Sequence, residues 1–127
     1  MSSRKSYRVV GAAALLLAMS AATHAWVGQI NNVTFKGAVA LPAGIVLPTG
    51  SYLFELLTPP GSSEVVRVSS PDRRHTYYLG FTRSVERPRT LPATRTIVFG
   101  EAPAGAPLPI HAWYPVNSTT GHEFIYR

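Results

Sequence analysis

The sequence predicts an all-β domain, and three observations predict it. After residue 26, Pro and Gly recur every few residues and cut off any apolar run of helical period. The runs that remain are short and alternating, and many are rich in Val, Ile, Phe, Tyr and Thr, which suit a half-buried pleated surface. Turn signals separate them about every ten to fifteen residues, a spacing typical of a sandwich or a small barrel. Of these, a single antiparallel β-sandwich of about seven strands is the preferred architecture.

The N-terminal segment precedes that domain and reads differently. Arg4, Lys5 and Arg8 come before an uncharged apolar run from Val9 to Ala22, and small residues continue to Ala25. Basic, apolar and small-residue segments in that order predict a cleavable signal-peptide helix. The run is about fourteen residues where a spanning helix needs roughly twenty, so no permanent membrane span is expected after cleavage. Cutting after Ala25 places Thr23 and Ala25 at the positions that fit the peptidase, and cutting after Ala22, with Ser20 upstream, is the alternative. The expected organisation is a signal peptide over 1–25 and one domain over 26–127, exported to the periplasm or the cell exterior.

Within the domain, strands are predicted over 32–39, 50–57, 64–69, 76–83, 95–99, 110–114 and 123–127. Between the third and fourth, Ser70-Pro71-Asp72-Arg73-Arg74 is a hairpin signal: Pro71 presets the first turn torsion and Asp72 can bond local backbone. Leu41-Pro42-Ala43-Gly44 and Leu47-Pro48-Thr49-Gly50 each place Pro two positions before Gly, which predicts successive tight turns. Segments 86–94 and 101–109 are proline-rich and read as loops, because proline has no donor for a sheet ladder. The predicted core is Phe35, Tyr52, Phe54, Val66, Val68, Leu79, Ile97, Phe99, Trp113 and Phe124.

Composition narrows what such a domain can be. The chain has no cysteine, so a small exported domain must do without disulfides and rely on packing and a well-paired sheet. Arg4, Lys5 and Arg8 leave with the leader, so the formal charge falls from +6 to +3, and Lys36 is then the sole lysine. No clustered basic face or nucleic-acid module is evident, and export also argues against a nucleic-acid partner.

The phrases LPTGSYLFEL, EVVRVSSPDRRHTYYL, TIVFGEAPAGAPLPIHAWYP and GHEFIY, in that order, resemble a group of small exported bacterial proteins to which no activity is assigned. The resemblance covers roughly residues 33–127 and is most specific from Ile97 to Tyr126, while Gly80 to Thr90 departs from it most. It implies export, bacterial origin and a compact β domain, and it brings no catalytic or binding residues. LPTGSYLFEL is also similar, more loosely, to the Pro-x-Gly-x-Tyr turn and strand of transthyretin-like and carboxypeptidase-regulatory-like sandwiches.

Four residue sets are candidates for chemistry. His75, His111 and His122, with Glu101 and Glu123, offer nitrogen and oxygen ligands, although no His-x-His spacing supports a metal site. No G-x-S-x-G elbow is present, and the six acids (Glu55, Glu64, Asp72, Glu86, Glu101 and Glu123) form no distinctive pair, so no catalytic residue is assigned and no cofactor is expected. Trp113 and Tyr114 are adjacent, so one of them is a candidate for a solvent-facing platform for sugar or protein, with burial of Trp113 as the competing reading. Arg83, Arg87, Arg89 and Arg95 cluster around a proline-rich loop, where an anionic polymer or lipid head group would find donors, and a solvated loop guarding a sheet edge is the competing reading. The resulting expectation is a non-enzymatic exported domain that binds an envelope protein or an anionic or polysaccharide surface. The alternative is a small metal-binding protein using His111, His122 and Glu101 or Glu123.

Overall fold

The alternating runs form nine strands in the computed structural model, which describes residues 29–59 and 63–127. These are β1 (Ile30–Phe35), β2 (Val39–Leu41), β3 (Ile45–Leu47), β4 (Gly50–Leu56), β5 (Glu64–Ser69), β6 (Thr76–Glu86), β7 (Ile97–Phe99), β8 (Leu108–Trp113) and β9 (Thr120–Phe124). The protein is all-β, as the sequence predicts. The leader helix and the cleavage positions Ala22 and Ala25 lie outside the described residues. Among the described residues no helix is long and apolar enough to cross a membrane.

Hydrogen bonding joins the strands into one mostly antiparallel sheet in the order β1-β4-β5-β6-β9-β8-β2-β3, with β7 also on β8. The sheet folds over on itself in a sandwich-like manner. Phe54 on β4 and Trp113 on β8 are separated by three strands in that order, yet their ring centroids lie 5.9 Å apart. Around them pack Phe35, Tyr52, Val66, Val68, Ile97 and Phe124, all buried as expected, and Phe99 is half-buried with its ring 6.1 Å from Phe35. Burying each large side chain of this kind stabilises the fold by about 1.5–3 kcal/mol.

Several expectations are corrected by pairing. Two strands beyond the expected seven come from the segment read as successive turns: β2 and β3 form a small hairpin around a 3-10 turn at Pro42–Gly44. Ala43 and Gly44 both have positive φ there, at 65° and 72°. Leu79, expected in the core, is 58% exposed. Its neighbours Tyr78 and Gly80 pair with buried Val68 and Val66, and the strand's alternation then turns Leu79 outward. The last strand runs Thr120–Phe124 rather than 123–127, because Tyr126 leaves the ladder and sets its hydroxyl 2.6 Å from the carbonyl of Ile110 and 3.1 Å from that of Ala40. Burial, reinforced by nearby Tyr78, pushes the Tyr126 phenol up to about 12 despite that bond to Ile110.

One irregularity in β8 shapes the interior. Val98 pairs with Ala112 but Phe99 pairs with Ile110, which leaves His111 as an extra, bulged residue. A bulge breaks strict alternation. Ile110 and Trp113, three positions apart and therefore on opposite faces of a regular strand, are both fully buried. The expected hairpin after β5 is present: the Asp72 carboxylate accepts from the Ser70 hydroxyl at 2.6 Å and from the Arg74 amide at 3.0 Å. The Ser70 bond, then the Arg74 amide, hold that carboxyl below its ordinary value.

Candidate functional site

Register places a stripe of apolar side chains on the outer face of β5 and β6. Phe81 lies opposite Val65, and Leu79 lies opposite Arg67. Leu79 and Phe81 follow at alternate positions along β6 and are 58% and 62% exposed, while Tyr77, left unpaired by the register shift beside Ser69, sets its ring against buried Tyr52 at 5.5 Å. Burying such side chains against a partner is favourable because it removes apolar surface from water.

Ion pairs flank the stripe on both sides. Glu55 on β4 takes a hydrogen bond from Arg67 at 2.7 Å and a longer one from Arg73 at 3.4 Å. Partial burial works to raise the Glu55 carboxyl, but the bonds and charges of Arg67 and Arg73 outweigh it and hold the group below its ordinary value. Toward β9, Arg83 reaches Glu123 Oε1 at 3.4 Å, and His111 Nε2 lies 3.3 Å from Glu123 Oε2. The bulge at His111 is what sends its side chain outward beside Glu123.

Trp113 and Tyr114 do not form an exposed platform. Both are buried, Trp113 completely. The indole of Trp113 packs on Phe54 and His122, and its Nε1 donates to Asn31 Oδ1 at 3.0 Å, which satisfies its one polar group inside the fold. Tyr114 lies so close over Gly121 that a Cβ there would collide with its ring.

The arginines separate in the same way. Arg83 is on the outer face and Arg89 is exposed in the loop after β6. Arg87 instead closes that loop against the 114–118 segment. Its Nε donates to Ser118 O at 2.8 Å, Nη1 to Pro92 O at 2.8 Å and Arg95 O at 3.0 Å, and Nη2 to Tyr114 O at 3.1 Å and Pro115 O at 2.9 Å. A guanidinium has five N–H donors, and here each meets a backbone carbonyl. Its carbon also sits 5.4 Å from the centre of the Tyr114 ring. Arg87 is therefore a brace between two loops, with no donor left for an anionic ligand.

The candidate metal ligands are likewise divided. His111 and Glu123 meet on the outer face, Glu101 is exposed between β7 and β8, and His122 points inward beside the adjacent, outward Glu123. Among the described residues no group of three or more potential metal ligands is assembled.

Inside the fold, His122 belongs to a polar cluster that sequence reasoning missed. Its Nε2 lies 2.6 Å from Gln29 Oε1, and its Nδ1 is 3.6 Å from Glu64 Oε1, beyond hydrogen-bond range. Neither that nitrogen nor that oxygen has a hydrogen-bond partner, although both residues are more than nine-tenths buried. Burial pushes the His122 imidazole below its ordinary value and outweighs the opposing pull of Glu64. The sequence carries a parity signal for the cluster, since Glu64 shares a face with Val66 and Val68, and His122 with Phe124. Glu64 and His122 are buried, and the cluster comes near the surface at half-buried Gln29, which lines a pocket with Asn31 and Ser118. Comparison with protein-family models, with curated proteins and with solved structures found no match.

Proposed function

We propose that this protein is an exported, non-enzymatic binding module of the bacterial envelope or cell exterior, and that it docks a partner protein through the outer face of β5 and β6. The observation that carries this reading is the exposed pair Leu79 and Phe81 on the outer face. Aromatic and aliphatic anchors of this kind supply most of the energy of protein interfaces when a partner covers them. The flanking Glu55–Arg67 and Arg83–Glu123 pairs are already neutralised within the domain, which suits a polar rim around an apolar centre. An anionic polymer is less well matched, because the arginines do not converge on one surface and Arg87 is fully engaged. The metal-binding alternative draws less support still, with His111 and His122 on opposite sides of the sheet.

Two measurements test the proposal. N-terminal sequencing of the protein recovered outside the cytoplasm should begin at Trp26, or at Thr23 if the alternative cut is used; an unprocessed cytoplasmic chain would refute export. A photo-crosslinking side chain placed at Phe81 in producing cells should give one discrete protein adduct that the same group at exposed Asn117 does not. Equal labelling at the two positions, or none at Phe81, would remove the docking face.

A further inference from the structure

Beyond the docking face, a second feature of β6 points to a ligand of different chemistry. Strand β9 ends at Phe124, opposite Thr82, so β6 before Thr82 has no strand paired on its β9 side among the described residues. The tip of the β2–β3 hairpin and the residues after β9 border this gap. They leave a pocket of about 320 Å³ lined by Pro42, Ala43, Tyr78, Leu79, Ile125 and Arg127.

Its two polar side chains, Tyr78 and Arg127, can both donate hydrogen bonds. Tyr78 is only 8% exposed, and among the described residues its hydroxyl has no hydrogen-bond partner. A Cβ at Gly80 would collide with that hydroxyl, so the glycine is what lets the phenol lie where it does. Burial pushes the Tyr78 phenol up, which keeps it protonated and able to donate at neutral pH. Arg127 adds a permanent cation with a planar set of donors. No acidic side chain lines the pocket, and Pro42, Ala43, Leu79 and Ile125 make the remaining wall apolar.

We propose that this pocket binds a small organic carboxylate, whose oxygens accept hydrogen bonds from the Tyr78 hydroxyl and the Arg127 guanidinium and whose apolar body packs on Pro42, Ala43, Leu79 and Ile125. A pocket of this size suits a free acid of roughly six to ten carbons.

The test is an NMR titration of the isotopically labelled protein with phenylacetate and hexanoate, alongside phenylacetamide as the uncharged counterpart. At least one acid should give saturable shifts concentrated at Ala43, Tyr78, Leu79, Ile125 and Arg127, and the amide should bind about tenfold more weakly or worse. Tyr78→Phe and Arg127→Gln should each weaken the acid about tenfold. Tyr78→Phe should do so with an unchanged melting temperature, since the hydroxyl bonds no protein group. Phe81→Ser, which alters the docking stripe outside the pocket, should bind the acid like the parent protein, so failure of one reading is distinguishable from failure of the other. Absence of saturable shifts with either acid, equal binding of the amide, or unchanged affinity in either pocket variant would overturn the proposal.

Discussion

Trp113 on β8 and Phe81 on β6 are large aromatic residues in one continuous sheet, and their surroundings are opposite. Trp113 is fully buried, packed at a tilt against Phe54 and His122, with its indole N–H bonded to Asn31. Phe81 is 62% exposed and lies opposite Val65 on the outer face. Two of the arginines differ too. Arg87, over the Tyr114 ring, gives every donor to a loop carbonyl, whereas Arg83 lies on the surface in a 3.4 Å pair with Glu123. Aromatic and arginine residues thus serve cohesion on the inner face and at its rim, and are left available on the outer face. Composition cannot separate the two roles; the face of the sheet does.

Substitutions that strike the two faces should therefore have effects of very different size. Trp113→Ala should cost about 3–5 kcal/mol in denaturant unfolding, because it opens a cavity and leaves Asn31 Oδ1 without its donor. A loss below about 1 kcal/mol would mean that the inner face does not hold the fold together. Arg87→Ala should cost roughly 2–4 kcal/mol, since several partly buried carbonyls lose a charged donor. Arg87→Lys should recover little of it, because an ammonium cannot reach five carbonyls in a planar fork. Full recovery by lysine would show that charge alone matters there.

Acid should weaken the interior next. With His122 held below its ordinary value of 6.5, the unfolded chain binds a proton that the folded protein resists. Stability is then fully present above that value and falls as pH drops below it, by at most about 1.4 kcal/mol per pH unit. Glu55, also held low, adds a separate loss below its ordinary value of 4.5. Unfolding midpoints measured from about pH 7 to about pH 5 should show the first slope in the parent protein and lose it in His122→Gln. A slope of unchanged steepness in that variant would assign it elsewhere. The smallest effect belongs to the outer face: Phe81→Ser should shift stability by no more than about 0.5 kcal/mol, because the side chain is already largely in water. A loss above about 2 kcal/mol, roughly that of a buried aliphatic truncation, would place Phe81 among the residues that hold the fold.

Much of this arrangement is legible in the residues. The hairpin at Pro71 and Asp72 is local chemistry, fixed by a proline torsion and a carboxylate reaching its own backbone, and it forms as read. Alternation reads Val66-Arg67-Val68 correctly, whereas in Tyr52-Leu53-Phe54 all three side chains are buried. Pattern alone misplaces Leu79 because Tyr77, Tyr78 and Leu79 are all large and apolar enough for either face, and only pairing with Val66 and Val68 fixes the phase. The exposed aromatic platform fails for a similar reason. Adjacent Trp113 and Tyr114 would point apart along a regular strand, but the chain leaves β8 after Trp113 and Tyr114 turns onto Gly121, so both are covered.

What the sequence determined by itself is the all-β class, the turn chemistry at Pro71 and Asp72, and a subset of the core that includes Phe54, Val66, Val68 and Trp113, because period and proline placement act over a few neighbouring positions. Tertiary structure alone decided which aromatic residues stay in solvent, which arginine is consumed by loop carbonyls, and that Glu64 and His122 meet inside. Those outcomes depend on register between strands and on the extra residues at His111 and Tyr77, since a one-residue slip exchanges the two faces of a strand.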